Sequence, residues 1–107
     1  GADPVRRWCE EHILLYDGLP HTKHVTSNIW VDIHDEGRAE ARSYVTIWQG
    51  LVDFPLQAIF SGRYVDELAE IEGRWCFVSR WAHPDVIGDM SRHMRNPFPP
   101  GPLRTRV

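Results

Sequence analysis

The sequence predicts an α+β domain in which a strongly curved antiparallel sheet wraps around a helix and forms a cone. Three observations favour this fold class. A helical apolar pattern comes first, long segments of period-two alternation follow it, and short glycine turns join those segments. Because long antiparallel strands must twist and bend to stay compact, we expect a curved sheet with a pocket at its open end.

Composition limits the classes of function. The 107 residues suffice for one domain with one core. A net charge of −3 without a basic tract argues against nucleic-acid binding. No apolar run reaches membrane-spanning length and no signal-peptide pattern opens the chain, so we expect a cytoplasmic protein with no membrane partner. Twelve aromatic residues (five Trp, four Phe and three Tyr) are able to close a small core or line a pocket.

The first element is a predicted helix from Pro4 to Tyr16. Asp3 and Pro4 are typical of a helix start, and Gly18 and Pro20 are typical of its end. The helix should bury one apolar stripe, which comprises Val5, Trp8, Cys9, His12, Ile13 and Tyr16. Cys9 and Cys76 both have apolar neighbours, and we expect them to be free buried thiols rather than a disulfide.

Two strands form the predicted first hairpin. The first begins at His24 and strict alternation divides its side chains between two faces. One face carries Val25, Ile29, Val31 and Ile33, and the other carries His24, Thr26, Asn28, Trp30, Asp32 and His34. The turn 35–37 leads to a second strand, 39–49, in which Ala41, Ser43, Val45 and Ile47 alternate with Arg42, Tyr44, Thr46 and Trp48.

Two further strands and an arm complete the prediction. The third strand covers 57–70, and Gly62 inside it indicates a bulge or bend. After the turn 71–73, the fourth strand covers 74–82. Its two faces carry Trp75, Phe77, Ser79 and Trp81 on one side and Cys76, Val78 and Arg80 on the other. Pro84 should end this strand, and 85–94 should form a short helix. Residues 1–95 are thus the predicted domain, and the proline-rich residues 96–107 an extended or disordered arm.

The stretch from His21 to Asn28 is the polar entrance to the first strand, and His24 is its leading candidate for chemistry. An imidazole near a pocket mouth suits a general base or acid, although a structural hydrogen-bonded histidine is the alternative. His21 and His24 point to opposite faces of a strand, so they do not form a metal-binding pair without a turn between them. We expect neither a metal nor a cofactor, and no nucleotide-binding or serine-hydrolase motif occurs.

Arg80 is the second candidate, since an arginine on an apolar strand suits an anion or a developing negative charge. The alternative is an ion pair with one of three carboxylates, Asp66, Glu67 or Asp85. The candidate substrate-binding residues are Asn28, Trp30, Tyr44, Trp81 and Asp85. Structural alternatives remain for three of them: Asn28 could cap a bulge, Tyr44 could be a core or rim aromatic, and Asp85 could cap a helix.

Four segments taken together carry a resemblance to a known family. These segments are Pro20-His21-Thr22-Lys23-His24-Val25-Thr26-Ser27-Asn28, Ala41-Arg42-Ser43-Tyr44, Gly62-Arg63-Tyr64-Val65-Asp66-Glu67, and Gly73-Arg74-Trp75-Cys76-Phe77 with Arg80. In their order and spacing they resemble SnoaL-like proteins of the nuclear transport factor 2-like superfamily, and residues 85–93 resemble that group's closing segment. Relatives include scytalone dehydratase, a hexachlorocyclohexane dehydrochlorinase and the small subunits of ring-hydroxylating dioxygenases.

The resemblance implies a cone with a deep apolar pocket and dimerisation through the sheet. It also implies that His24 matches the family's catalytic base and Arg80 its late-strand arginine. The family's base pairs with an aspartate from an N-terminal helical segment, and we expect this sequence to begin after that segment. Asp3 is not a convincing substitute, and without that segment we expect one pocket wall to be open and apolar surface to be exposed.

Two functions follow as hypotheses. The first is a cofactor-free lyase or isomerase in which His24 removes a proton from an apolar, cyclic molecule and Arg80 stabilises the negative charge. The second is a non-catalytic ligand-binding or assembly module, similar to a dioxygenase small subunit.

Overall fold

The computed structural model describes residues 2–103, which form one helix and one antiparallel sheet. The helix α1 covers Ala2–His12, and the strands are β1 (Thr22–His34), β2 (Arg38–Leu51), β3 (Phe54–Ile71), β4 (Arg74–Ile87) and β5 (Gly101–Pro102). The strands are hydrogen-bonded in chain order, each antiparallel to the next. The sheet curls strongly into a half-barrel, and this confirms the predicted α+β cone fold.

The two predicted glycine turns are present and have the backbone that tight turns need. Glu36 and Gly37 both have a φ of 67° between β1 and β2. Glu72 and Gly73 have φ values of 53° and 78° between β3 and β4. Positive φ at both central residues gives a turn whose twist matches that of the flanking strands. These turns therefore hold the register of both long hairpins.

A bulge in β1 changes which side chains face the inside of the half-barrel. The pairing of β1 with β2 shifts between Ser27 and Trp30, and Asn28 adopts a φ of 53° there. The extra residue reverses the phase of the alternation. Before the bulge the concave face receives Thr22, His24 and Thr26, and after it the same face receives Ile29, Val31 and Ile33. The prediction that His24 and Ile29 lie on opposite faces is therefore wrong.

A second bulge has the same effect on β4. The pairing of β3 with β4 shifts between Glu67 and Leu68, so that Phe77 and Ser79 face consecutive residues of β3. Arg80 consequently joins Phe77 on the concave face, while Trp81 lies on the outer face. The predicted division of β4 into two strictly alternating faces is wrong for the same reason as in β1.

Pro84 does not end β4, which continues to Ile87. Pro84 pairs with Gly62 at a further register shift between β3 and β4. A proline is tolerated at such an irregularity because no ladder hydrogen bond needs its missing N–H. Gly62 is required there, because a Cβ at this position would lie 2.4 Å from the carbonyl oxygen of His83. The predicted bend at Gly62 is confirmed.

Both predicted helices need correction. The first ends at His12 instead of Tyr16, because Ile13 and Leu14 pair with the segment around His93 and Met94. None of its residues is buried, so the apolar stripe remains open. Residues 85–94 form no helix, since 85–87 complete β4. Within residues 2–103 no helix is long and apolar enough to cross a membrane.

The core lies at the end of the half-barrel where β2, β3 and β4 meet residues 88–94. Its buried members are Val45, Ile47, Phe54, Ile59, Ile87 and Met90. The cysteines are free, as expected, but both are exposed, so the prediction of burial is wrong. Cys9 lies on the uncovered helix and Cys76 on the outer side of β4. In the proline-rich arm, Gly101 and Pro102 pair with β4, and residues 104–107 of the arm lie outside the described residues.

Candidate functional site

The concave face of the sheet contains two cavities at its two ends. The larger, of about 770 Å³, lies between α1, the start of β1 and residues 90–98, and we call it the histidine cavity. Its apolar lining comes from Trp8, Cys9, Ile13, Leu15, Pro20, Ile47, Phe60, Met90, Met94 and Phe98. Its polar lining comes from Glu10, His12, Thr22, His24, His93 and Asn96. A mainly apolar cavity of this size with a few polar groups is typical of small-molecule sites.

His24 reaches this cavity because of where β1 begins. His21 has a φ of 52°, which turns the chain into β1 from the loop before it. From Thr22 the strand alternates regularly against β2, and His24 pairs with the buried Ile47. The imidazole therefore projects from the concave face and is exposed to the cavity. The placement agrees with the predicted position of His24 at a pocket mouth.

His93 is a second histidine of the cavity, and sequence reasoning did not identify it as a site residue. It is 7% exposed, and its Nδ1 is buried without a hydrogen-bond partner among residues 2–103. Burial lowers the pKa of His93, and the nearby His24 lowers it further, and both effects favour the neutral form of the ring. The histidine cavity therefore combines an exposed imidazole with a buried neutral one.

A set of hydrogen bonds fixes the segment that carries His93. The backbone N–H of Leu14 donates to the His93 carbonyl at 2.9 Å. The adjacent carbonyl of Arg92 accepts from the Tyr16 hydroxyl at 2.6 Å and from Nε2 of Gln49 at 3.2 Å. Gln49 is fully buried and also donates to the carbonyl of Pro20 at 3.2 Å. These contacts tie residues 92–93 to the loop before β1 and to β2, so the wall of the cavity is preorganised.

Arg80 lies in the second cavity, an apolar groove of about 350 Å³. Its guanidinium donates to the two carboxylate oxygens of Asp66 at 2.8 and 3.0 Å. The guanidinium also lies 4.0 Å from the ring centroid of Tyr64. These hydrogen bonds raise the pKa of Arg80. Of the two alternatives for Arg80, the structure shows the ion pair, and Arg80 does not line the histidine cavity.

The rest of the groove is apolar. Its lining comprises Thr26, Ile29, Val31, Ile33, Ala39, Ala41, Ser43, Asp66, Leu68, Trp75, Phe77 and Arg80. Several of these side chains are more than half exposed, including Ile29 (65%), Ile33 (69%) and Phe77 (64%). The expected exposure of apolar surface is therefore present at the end of the sheet that lies away from α1.

The five candidate substrate-binding residues lie on the outer face of the sheet, away from His24. Asn28, Trp30 and Tyr44 line a separate cleft of about 380 Å³. Trp81 is 67% exposed and stacks near His83, with ring centroids 6.3 Å apart. The structure does not bring these side chains together with His24.

Asn28 and Asp85 have clear structural contacts. Asn28 occupies the β1 bulge, which was its structural alternative. Asp85 accepts hydrogen bonds from Arg63 through both carboxylate oxygens, at 2.9 to 3.2 Å. It lies inside β4, so its predicted alternative as a helix cap is wrong.

The described residues contain no group of three His, Cys, Asp or Glu side chains that could hold a metal ion. His21 and His24 line different cavities. His12 already contacts the carbonyl of Trp8 through Nδ1 at 2.8 Å and stacks on the Trp8 ring. In the histidine cavity, His24 and His93 offer imidazole groups that are able to take part in acid–base chemistry and hydrogen bonding.

Sequence reasoning missed His93 because residues 85–94 looked like a helix. Met90, His93 and Met94 have the i, i+3, i+4 spacing of one helical face, and all three line the cavity although no helix forms. That spacing was the available signal. The spacing correctly groups three side chains that share an environment, but the helix that it predicts for them does not form.

Comparison with protein-family models finds that residues 1–81 match the SnoaL-like domain. The match includes α1, the first three strands, His24 and Arg80, and it ends before His93. Comparisons with curated proteins and with solved structures give no match.

Proposed function

This chain belongs to the SnoaL-like domain family, and from that membership and the histidine cavity we propose that it binds a small apolar, cyclic molecule on which His24 acts as a general base. The observation that carries the proposal is the exposed imidazole of His24 at the wall of a mainly apolar cavity of about 770 Å³. The reaction class would be that of a lyase or isomerase working without a cofactor.

The chemistry proposed for His24 needs no other ionisable group to start. The neutral form of an imidazole accepts a proton from a carbon beside an electron-withdrawing group. An apolar lining disfavours full hydration of a bound molecule, and this strengthens polar contacts inside the cavity. Arg80 is held by Asp66 in the other cavity, so the stabilisation of negative charge falls to groups that line the histidine cavity.

The test uses a panel of uncharged bicyclic aromatic compounds, followed by fluorescence and histidine NMR. We expect saturable binding that shifts the His24 imidazole signals and weakens in His24→Ala. The matched control is His34→Ala, because His34 is an exposed histidine at the other end of the same strand. Loss of binding in both variants, or in neither, would contradict a role for His24.

A non-catalytic binding or assembly module is the second candidate, and one observation favours it. Among residues 2–103, no carboxylate oxygen lies within 4.0 Å of a His24 ring nitrogen, so the described residues give the base no direct acidic partner of the kind that the family resemblance implies. If proton abstraction is absent, compounds will bind the cavity without any exchange of their acidic C–H protons for deuterium in D₂O. Exchange that depends on His24 would instead support the enzyme.

We also propose that two copies associate through the outer face of the sheet. Exposed aromatic side chains on this face support the proposal, namely Trp30 (52%), Tyr44 (52%) and Trp81 (67%). Sedimentation should show a dimer that Trp81→Lys weakens, and a monomer at every concentration would contradict it.

The cytoplasmic location stays a prediction, and the two free exposed cysteines suit a reducing compartment.

A further inference from the structure

Backbone hydrogen bonds hold His93 and the residue before it in place. Its carbonyl accepts from Leu14, and its own N–H donates to the carbonyl of Met90 at 3.0 Å. The preceding carbonyl of Arg92 is held by Tyr16 and Gln49. The ring therefore has a defined position in the cavity wall, while neither ring nitrogen has a hydrogen-bond partner among residues 2–103.

The two ring nitrogens have different surroundings. Nδ1 is fully buried, whereas Nε2, at the tip of the ring, keeps some exposure. Since His93 lines the cavity, Nε2 is the ring nitrogen that a bound molecule is able to reach. A neutral imidazole carries one N–H, on either nitrogen. Buried N–H groups without partners are rarer than buried acceptors without partners, so the proton belongs on Nε2. His93 thus presents an N–H donor, Nε2–H, to the cavity, while its unprotonated Nδ1 stays buried in the protein.

The charge of the cavity restricts what this donor can bind. No arginine or lysine of the part of the chain that the structure describes lines the histidine cavity, and Glu10 does line it. A carboxylate ligand would lose its hydration there without gaining a cation. An uncharged oxygen, in contrast, accepts a hydrogen bond from a neutral imidazole at little desolvation cost.

We propose that His93 is a second ligand-contacting residue, which donates Nε2–H to a carbonyl or hydroxyl oxygen of an otherwise apolar, uncharged molecule. The inference rests on the proposed function, because it places the ligand in the same cavity as His24. For a ketone, His24 takes a proton from the carbon beside the carbonyl, and the C–H electron pair moves into the enolate. Negative charge then develops on the oxygen that His93 contacts, and a neutral imidazole is a competent electrophile for it.

The test compares three probes of similar size: 2-acetylnaphthalene, 2-isopropylnaphthalene and 2-naphthoate. Wild-type protein should prefer the ketone over the hydrocarbon by about 3–10-fold in Kd, the value of one hydrogen bond between uncharged groups. His93→Leu should abolish that preference, and His93→Gln, which keeps an N–H donor at similar reach, should retain part of it. The carboxylate should bind more weakly than the ketone.

Histidine NMR on the unmodified chain supplies a measurement that does not depend on how the variants fold. It should show the Nε2–H tautomer of His93 and a shift of this nitrogen when 2-acetylnaphthalene binds. An Nδ1–H tautomer, or a ketone preference that is unchanged in His93→Leu, would overturn the assignment while leaving the cavity and His24 in place. Failure of both uncharged probes to bind would overturn the proposed function, and this inference with it.

Discussion

Replacing Arg80 with methionine tests whether this arginine is a structural partner of Asp66. The Asp66 side chain is 5% exposed and the Arg80 side chain 45% exposed. The two residues face each other across β3 and β4, joined by hydrogen bonds of 2.8 and 3.0 Å. Arg80→Met leaves a buried carboxylate without its cation, whereas Asp66→Leu leaves a guanidinium that water already reaches.

This asymmetry sets the expected magnitudes. Removing one partner of a buried pair costs about 3–5 kcal/mol, and the exposure of Arg80 lets water approach Asp66, so we expect about 2–3 kcal/mol for Arg80→Met. We expect only about 1 kcal/mol for Asp66→Leu, because the guanidinium stays hydrated and packed on Tyr64. The double variant should be more stable than Arg80→Met alone by about 1–2 kcal/mol, since no buried charge remains.

Urea denaturation followed by tryptophan fluorescence and far-ultraviolet circular dichroism measures these free energies of unfolding. A cost of about 2–3 kcal/mol corresponds to a Tm that is lower by roughly 10 °C in a chain of this size. Equal costs for the two single variants, or additive costs in the double variant, would refute the reasoning. Arg80→Met should also leave ligand binding in the histidine cavity unchanged, because Arg80 does not line it.

Three further predictions concern the cavity wall and the sheet. Because the pKa of His93 is lowered from 6.5, the unfolded chain binds a proton below pH 6.5 that the folded chain does not. The free energy of unfolding should therefore be at its full value above pH 6.5 and fall below it, by at most about 1.4 kcal/mol per pH unit. His93→Leu should remove this slope in urea titrations. Gly62→Ala should cost roughly 3 kcal/mol or more, because its Cβ meets the His83 carbonyl oxygen at 2.4 Å, and thermal unfolding should show it. Tyr16→Phe should cost about 1 kcal/mol by loss of its bond to the Arg92 carbonyl and should speed amide exchange around His93.

Each of these three changes has a matched control in the chain. Gly50→Ala should be nearly neutral, since its Cβ would meet Leu56 at an ordinary 3.5 Å. Tyr44→Phe should also be nearly neutral, because Tyr44 is 52% exposed. His34→Leu should leave the slope below pH 6.5 in place. A glycine or tyrosine control that lowers the free energy of unfolding as much as its test variant would contradict the corresponding contact. Loss of the pH slope in His34→Leu would contradict its assignment to His93.

The sequence alone determined the elements that depend on local chemistry. Period-two alternation located the four long strands, and glycine located both hairpin turns and the bend at Gly62. The presence of an N-terminal helix, the α+β class and the position of His24 at a cavity also followed from local pattern, although the helix begins at Ala2 and not at Pro4. These features are fixed by neighbouring residues, which share a face or a turn whatever lies across from them.

Only the tertiary structure decided which side chains meet. The bulges at Asn28 and between Phe77 and Ser79 arise from pairing with the neighbouring strand, and each reverses the phase of every residue beyond it. That reversal moved Ile29 and Arg80 to the concave face. Pro84 stays in β4 because Gly62 opposite it allows an irregular pairing. The wall that carries His93 is held by the hydrogen bond from the Leu14 N–H to the His93 carbonyl, and a contact between residues so far apart in the chain leaves no trace in local periodicity.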